Sequence, residues 1–194
     1  MRGKRLRQNL VFALIPRAGG RADYLRKHHI MAHVGEKVTY VPRVLPLYAN
    51  LISIGDHVTI ASNVNFATHD GIHRALNWYS DRLEDESRKH RFQESMGCIE
   101  IGNNVFVSAG SRILYDVRIG DNVIISAGSV VANDIPSNSV VRGAPAKVVC
   151  SFDDYYNLKA FRDDGHTMSH PSEEIPEELA AWLWERFRAR RGGK

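Results

Sequence analysis

From Ile101 to Pro136 the chain reads Ile-Gly-Asn-Asn-Val-Phe, Val-Ser-Ala-Gly-Ser-Arg, Ile-Leu-Tyr-Asp-Val-Arg, Ile-Gly-Asp-Asn-Val-Ile, Ile-Ser-Ala-Gly-Ser-Val, Val-Ala-Asn-Asp-Ile-Pro. Ile101, Val107, Ile113, Ile119, Ile125 and Val131 open these units; Gly, Ala, Ser or Leu follows, and a small or β-branched residue takes the fifth place. A period of six suits neither regular element alone. A helix needs apolar residues at steps of three and four, and Gly-Asn-Asn or Ala-Gly-Ser would break it. A plain amphipathic strand alternates at two, whereas only one large aliphatic residue recurs here per unit. One inward aliphatic, one small inward residue and a Gly/Asn/Asp corner describe a short strand and a tight turn. Three such strands make one triangular coil of a parallel β-helix, and stacked coils bury a column of Ile and Val. Asn and Asp at the corners tolerate the left-handed backbone of sharp turns. A β-sandwich would not keep this phase over six units.

The phase extends upstream to Val34-Gly35, to Ile54-Gly55-Asp56-His57-Val58-Thr59 and to Ile60-Ala61-Ser62-Asn63-Val64-Asn65. It slips between Tyr40 and Ile54, where a loop or imperfect coil is expected. It breaks after Phe66-Ala67-Thr68-His69-Asp70 and resumes at Cys98-Ile99-Glu100-Ile101. The intervening Gly71 to Gly97 is polar, charged and out of phase, and so long an excursion from a regular scaffold signals function. Short helices are expected at Arg21–Ile30, Ser151–Arg162 and Glu173–Arg190. In the last, Leu179, Trp182, Leu183 and Phe187 fall at helical spacing and Pro176 suits a first turn. Such a tail would cover a coil edge or a neighbouring subunit. The expected division is a basic, helical segment over 1–33, a β-helix over 34–150 carrying the loop 71–97, and a helical tail over 151–194.

The 194 residues are 43% hydrophobic and 25% charged, which excludes collagen-like, disordered and membrane-spanning classes for most of the chain. The net charge is +4, with Arg2, Lys4, Arg5 and Arg7 near one end and Arg186, Arg188, Arg190, Arg191 and Lys194 near the other. No aromatic-basic motif supports nucleic-acid binding. Cys98 and Cys150 form no disulfide framework and lack metal-ligand spacing. The apolar run Leu10–Ile15 stops at Pro16-Arg17, too short for a signal core or a span. A cytoplasmic protein is expected, with peripheral membrane contact through the basic-apolar start as a secondary reading.

These repeats resemble the hexapeptide-repeat acyltransferases over about Val34 to Val149, most strongly from Gly97 to Phe152. The closing element Asp134-Ile135-Pro136…Gly143-Ala144-Pro145-Ala146-Lys147-Val148 is similar to the sugar and polysaccharide O-acetyltransferase branch, which includes the maltose and galactoside enzymes. The resemblance implies a left-handed parallel β-helix, where the general preference for right-handed crossovers would say otherwise. It also implies homotrimers, acetyl-coenzyme A (acetyl-CoA) as co-substrate, no metal, and direct transfer without a covalent enzyme intermediate. Its catalytic base matches His69, whose imidazole would take a hydroxyl proton as oxygen attacks the thioester carbonyl. Glu94 is favoured to orient that ring, ahead of Gln93 and Asp70. Asp70, His73, Asn77 and Trp78, with Arg74 and Tyr79, are candidates for the acceptor side.

The extended pantetheine arm calls for exposed backbone amides beside small side chains, and Ser108, Ala109, Ala127 and Gly128 fit. An amide near Ser108 is a candidate for the oxyanion. Arg142 and Lys147 suit the coenzyme phosphates. Ala132-Asn133 and Val105-Phe106-Val107-Ser108 depart from the family's Thr-Lys and Val-Trp-Ile-Gly. The Asn-x-Asn and acidic pair of the maltose and galactoside enzymes are likewise absent upstream, where Val41-Pro42-Arg43 and Tyr48-Ala49 stand, which argues against assuming their acceptors. An amino sugar or serine remains an alternative acceptor. Two other classes are a zinc-dependent carbonic anhydrase drawing on His57, His69, His73 and His90, and a non-catalytic β-helix scaffold.

Overall fold

The computed structural model describes residues 2–161 and 175–191. Two compact units share the chain, Met1–Leu158 and Lys159–Lys194. The first begins with helices α1 (Arg2–Leu14) and α2 (Ala18–Lys27) and then winds through thirteen short strands. β1 (His33–Val34) and β2 (Thr39–Tyr40) start the winding; β3 (Ile52–Ile54), β4 (Thr59–Ile60) and β5 (Asn65–Ala67) form the next coil. After the excursion, which contains α3 (Ile72–Ser80), come β6 (Ile99–Ile101), β7 (Val105–Val107) and β8 (Arg112–Leu114). β9 (Val117–Ile119), β10 (Val123–Ile125) and β11 (Val130–Val131) follow, then β12 (Ser139–Arg142) and β13 (Lys147–Ser151), and the unit ends within α4 (Phe152–Phe161).

Successive strands fall in turn into three sheets, ordered β1-β3-β6-β9, β13-β12-β10-β7-β4-β2 and β11-β8-β5. All pairings are parallel except β12 with β13. Each sheet is one wall of a prism, and the register stacks like on like. Val34, Ile54, Ile101 and Ile119 form one inward column. Tyr40, Ile60, Val107, Ile125 and Val141 form the second, and Phe66, Ile113 and Val131 the third. All twelve are buried. The fifth position also faces in: Val105, Ser111, Val117, Val123, Ser129 and Ile135 are buried. Each hexad therefore buries two side chains, and the second is a full aliphatic in four units of six.

The corners sort their polar residues into two jobs. Asn63, Asn104, Asn122, Asn138 and Asp116 adopt φ between 53° and 58°, the left-handed geometry expected of them. Asn104, Asn122 and Asn138 also form a side-chain ladder, each Nδ2 donating to the next Oδ1 at 2.8 Å. Asp56, Asn103 and Asp121 accept backbone amides of Glu36, Asp56 and Asn103 at 2.7, 2.8 and 2.6 Å, tying coil to coil. The Gly before each of these is small for a steric reason: a Cβ on Gly102 would lie 2.6 Å from Asp121 Oδ1 and 2.9 Å from the Gly120 carbonyl.

An open end of such a stack exposes unpaired backbone groups. At the first coil the orphans are carbonyls, and arginines of α2 take them. Arg21, itself buried, donates to the carbonyls of Tyr40, Val41 and Ile15 at 2.9, 3.0 and 2.7 Å and to Pro16 at 3.2 Å. Arg26 donates to those of Val34 and Gly35. Phe12, Ala22 and Leu25 seal the same end. At the far end β13 turns back antiparallel on β12. The two ends of the stack are thus covered by the first helices and by a hairpin. In the second unit, α5 (Glu177–Ala189) is capped by Pro176, and none of its residues is buried. The expected start at Glu173 and the residues 192–194 lie outside the described residues.

Candidate functional site

Thr68, buried, donates its hydroxyl to the Leu47 carbonyl at 2.7 Å, and Gly97 N–H returns to the Thr68 carbonyl at 3.0 Å. These bonds pin the point where the repeat breaks, and His69 bridges to Met96 across the neck of the excursion. The excursion is itself folded: Asn77 uses both halves of its amide on the Phe92 backbone, and the Ser80 hydroxyl accepts the His90 N–H. His69 is thus held at the prism corner between the β5 and β6 walls.

Its Nε2 lies 3.8 Å from Glu94 Oε1, with the two side chains 29% and 32% exposed. That separation carries charge attraction without a hydrogen bond. Tyr48 completes the cluster. Its ring meets the imidazole edge-on, centroids 5.1 Å apart, and its hydroxyl donates to Glu94 Oε2 at 3.3 Å. Nδ1 of His69 is buried and has no hydrogen-bond partner among the described residues. The Glu94 carboxylate thus stands beside Nε2. Glu94 can therefore stabilise an imidazolium by its charge rather than fix the tautomer.

A cleft of 680 Å³ opens against His69. Asn63, Asn65 and Arg112 line it from the β5–β8 wall, and Arg43 to Leu47 from the irregular segment before β3. It contains two arginines and no carboxylate among its lining residues.

Asp70 is employed differently. Tyr115 donates its hydroxyl to Oδ2 at 2.5 Å, and Ile72 N–H bonds Oδ1 at 3.0 Å, opening α3. The Tyr115 bond first, and the Ile72 amide second, hold the Asp70 carboxyl below its ordinary value, while the same bond raises Tyr115. Asp70, His73, Asn77 and Trp78 do not line the His69 cleft, and Asn77 is occupied within the loop.

Ser108, Ala109, Ala127 and Gly128 lie together on a different corner, between the β7–β10 wall and the β8–β11 wall. Gly110 N–H bonds the Ser62 carbonyl and Gly128 N–H that of Ala109, each at 3.0 Å, so these turns stack. Ala109, Ala127 and Gly128 are exposed rather than packed inward. The Ser108 amide is committed to the Ile125 carbonyl at 2.9 Å, which removes it as an oxyanion donor. The amides of Ala109 and Ala127 have no hydrogen-bond partner among the described residues. Arg142 and Lys147 pair in register on β12 and β13, both exposed. No three His, Cys, Asp or Glu side chains among the described residues gather in a metal-holding group, so His57, His69, His73 and His90 form none.

Tyr48, Arg112 and Tyr115 escaped the sequence reading. Tyr48 sits in the phase slip with φ 50°, a backbone state bulky residues rarely take. A tyrosine beside that slip was the one available signal.

Comparison with known proteins agrees with this architecture. Residues 98–133 match the family model described as bacterial transferase hexapeptide (six repeats). Protein CapG of Staphylococcus aureus is 48% identical over 105 residues, 54% of this chain and 55% of that protein, so the chain spans about half the length of this curated relative. A galactoside acetyltransferase in complex with coenzyme A superposes with a TM-score of 0.58 at 26% identity, covering 90% of this chain and 88% of that one. A hexapeptide-repeat acetyltransferase of Vibrio cholerae O1 biovar eltor, complexed with acetyl-coenzyme A, superposes at 0.56 with 22% identity over 78% of this chain and 86% of that one, a likeness of fold. The chain carries the repeat and the left-handed β-helix of the hexapeptide-repeat acetyltransferases.

Proposed function

We propose that the protein is an acetyl-CoA-dependent O-acetyltransferase that acylates a hydroxyl of a sugar or glycan precursor, with His69 as general base. The observation that carries this reading is the imidazole at the repeat break, flanked by Glu94 and Tyr48 and facing a cleft large enough for a sugar. The similarity to the galactoside acetyltransferase supports the acceptor class.

In the proposed reaction His69 Nε2 accepts the acceptor's hydroxyl proton as its oxygen bonds to the thioester carbonyl carbon. The developing imidazolium is stabilised by the Glu94 carboxylate, which Tyr48 holds. The carbon–sulfur bond then breaks, the proton passes from His69 to the departing thiolate, and ester and free coenzyme leave. No covalent enzyme intermediate is needed. The Ala109 and Ala127 amides are suited to the pantetheine carbonyls, and the cations Arg142 and Lys147 to the phosphates.

His69 and the alanine corner occupy different edges of one prism. The reading therefore calls for a second copy to bring its alanine corner beside His69, as in a homotrimer of a cytoplasmic enzyme. The test is thiol release from acetyl-CoA with a panel of sugars, sugar nucleotides, amino sugars and serine. Release dependent on a sugar hydroxyl supports the proposal; release only with an amine, or with serine, overturns the acceptor class.

A further inference from the structure

We propose that α1 is a docking helix that lays the protein on an anionic lipid surface. Phe12 fixes the helix by burying its ring in the first coil's end. Leu10 and Leu14, two residues either side of it, stand about 200° around the helix and so face away from the core. With Leu6 they form a stripe at four-residue steps, 64%, 58% and 80% exposed for Leu6, Leu10 and Leu14. Val44, 73% exposed, extends the patch: Arg43 Nη1 donates to the Ala13 carbonyl at 2.6 Å and Leu45 N–H to Asn9 Oδ1 at 3.2 Å, which seats this segment beside α1. A soluble surface does not leave so many contiguous aliphatic side chains bare without a partner.

Charge selects the partner. No Asp or Glu precedes Asp23, while Arg2, Lys4, Arg5, Arg7, Arg17 and Arg21 do. Of these, Arg5, Arg7 and Arg17 are exposed around α1 and Arg43 is exposed beside Val44. A second copy meeting this patch would bring the same cations against it. A bilayer rich in anionic phosphates matches both the leucines and the arginines. α1 spans only Arg2–Leu14, and no helix among the described residues is long and apolar enough to cross a membrane, so it would lie in the interface. Three leucines and a few cations give reversible association, sensitive to salt. The inference does not require acyl transfer at His69, although Arg43 and Val44 also line that cleft.

The full chain is mixed with vesicles of phosphatidylcholine alone, or with an equal share of phosphatidylglycerol, and floated through a density gradient. The expected result is co-flotation with the anionic vesicles only, diminishing as salt rises. Leu10→Ser and Leu14→Ser should each lower the partition coefficient about tenfold, from the burial each leucine contributes, and Arg7→Glu should do so by repulsion. Leu183→Ser on α5 should leave it unchanged. Equal binding to neutral vesicles, no binding, or indifference to Leu10→Ser and Leu14→Ser would overturn the proposal. So would dissociation of an oligomer by Leu10→Ser in the absence of lipid, measured by sedimentation, since the stripe would then be a contact between copies.

Discussion

Replacing Glu94 by Gln removes one charge beside His69 and keeps the side chain's shape. Two unit charges 3.8 Å apart attract by about 1 kcal/mol at the dielectric of water and about 4 kcal/mol at an effective value of 20. Both side chains are about a third exposed, so the working figure lies between, near 2 kcal/mol. The charge on the imidazole exists only while the proton is in its keeping. The carboxylate's help is therefore felt in the transition state and not in the ground state, and the loss belongs to kcat. Glu94→Gln should lower kcat about 30-fold, with KM for acetyl-CoA little changed. Steady-state thiol release under saturating acceptor measures it. A kcat within twofold of the parent, or a rise in KM alone, would refute the electrostatic role argued for Glu94.

Tyr48→Phe frees Glu94 from a 3.3 Å hydrogen bond and should lower kcat about fivefold, but add nothing to Glu94→Gln in the double variant. The Asp70–Tyr115 bond makes the seating of the excursion depend on pH. Asp70 is held low in the fold, so its contribution is present above the ordinary carboxyl value of 3.8 and fades as pH falls through the lowered one. Tyr115 is raised, so its share is present below 10.0 and fades as pH climbs through the raised value. Tyr115→Phe should return the Asp70 carboxyl toward its ordinary value, seen by NMR titration; an unmoved titration would contradict the bond. Gly102→Ala forces a Cβ against the backbone of the neighbouring coil and should cost about 1–3 kcal/mol, read by denaturant unfolding; an unchanged midpoint would mean the coils are not stacked in this register.

The hexads were readable because every wall repeats the same demand. A β-branched or aliphatic residue must face in, and a corner residue must accept positive φ. Ile101 and Asn104 meet these demands within one unit. The Gly of Ile-Gly-Asn reads as a turn residue in sequence, yet Gly102 is small because the next coil passes 18 residues later within reach of its missing Cβ. No local rule contains that distance. The phase break itself was legible in the hexads, whereas His69 and Glu94 were singled out there by the family resemblance, as the histidine beside the break and a carboxylate of the loop. Tyr48 and Arg112 were not, because their approach depends on how an irregular segment and a distant coil lie across the same corner. Nothing in the sequence marks Arg21 and Arg26, and only the unpaired carbonyls of the first coil explain why they are drawn in.

The central claim is that this prism presents one imidazole as the base for acyl transfer. His69→Ala, assayed by thiol release from acetyl-CoA with the best acceptor of the panel, tests it most directly. kcat should fall by about 10²–10⁴ with unchanged KM for acetyl-CoA and unchanged melting. Turnover equal to that of the parent protein would contradict it.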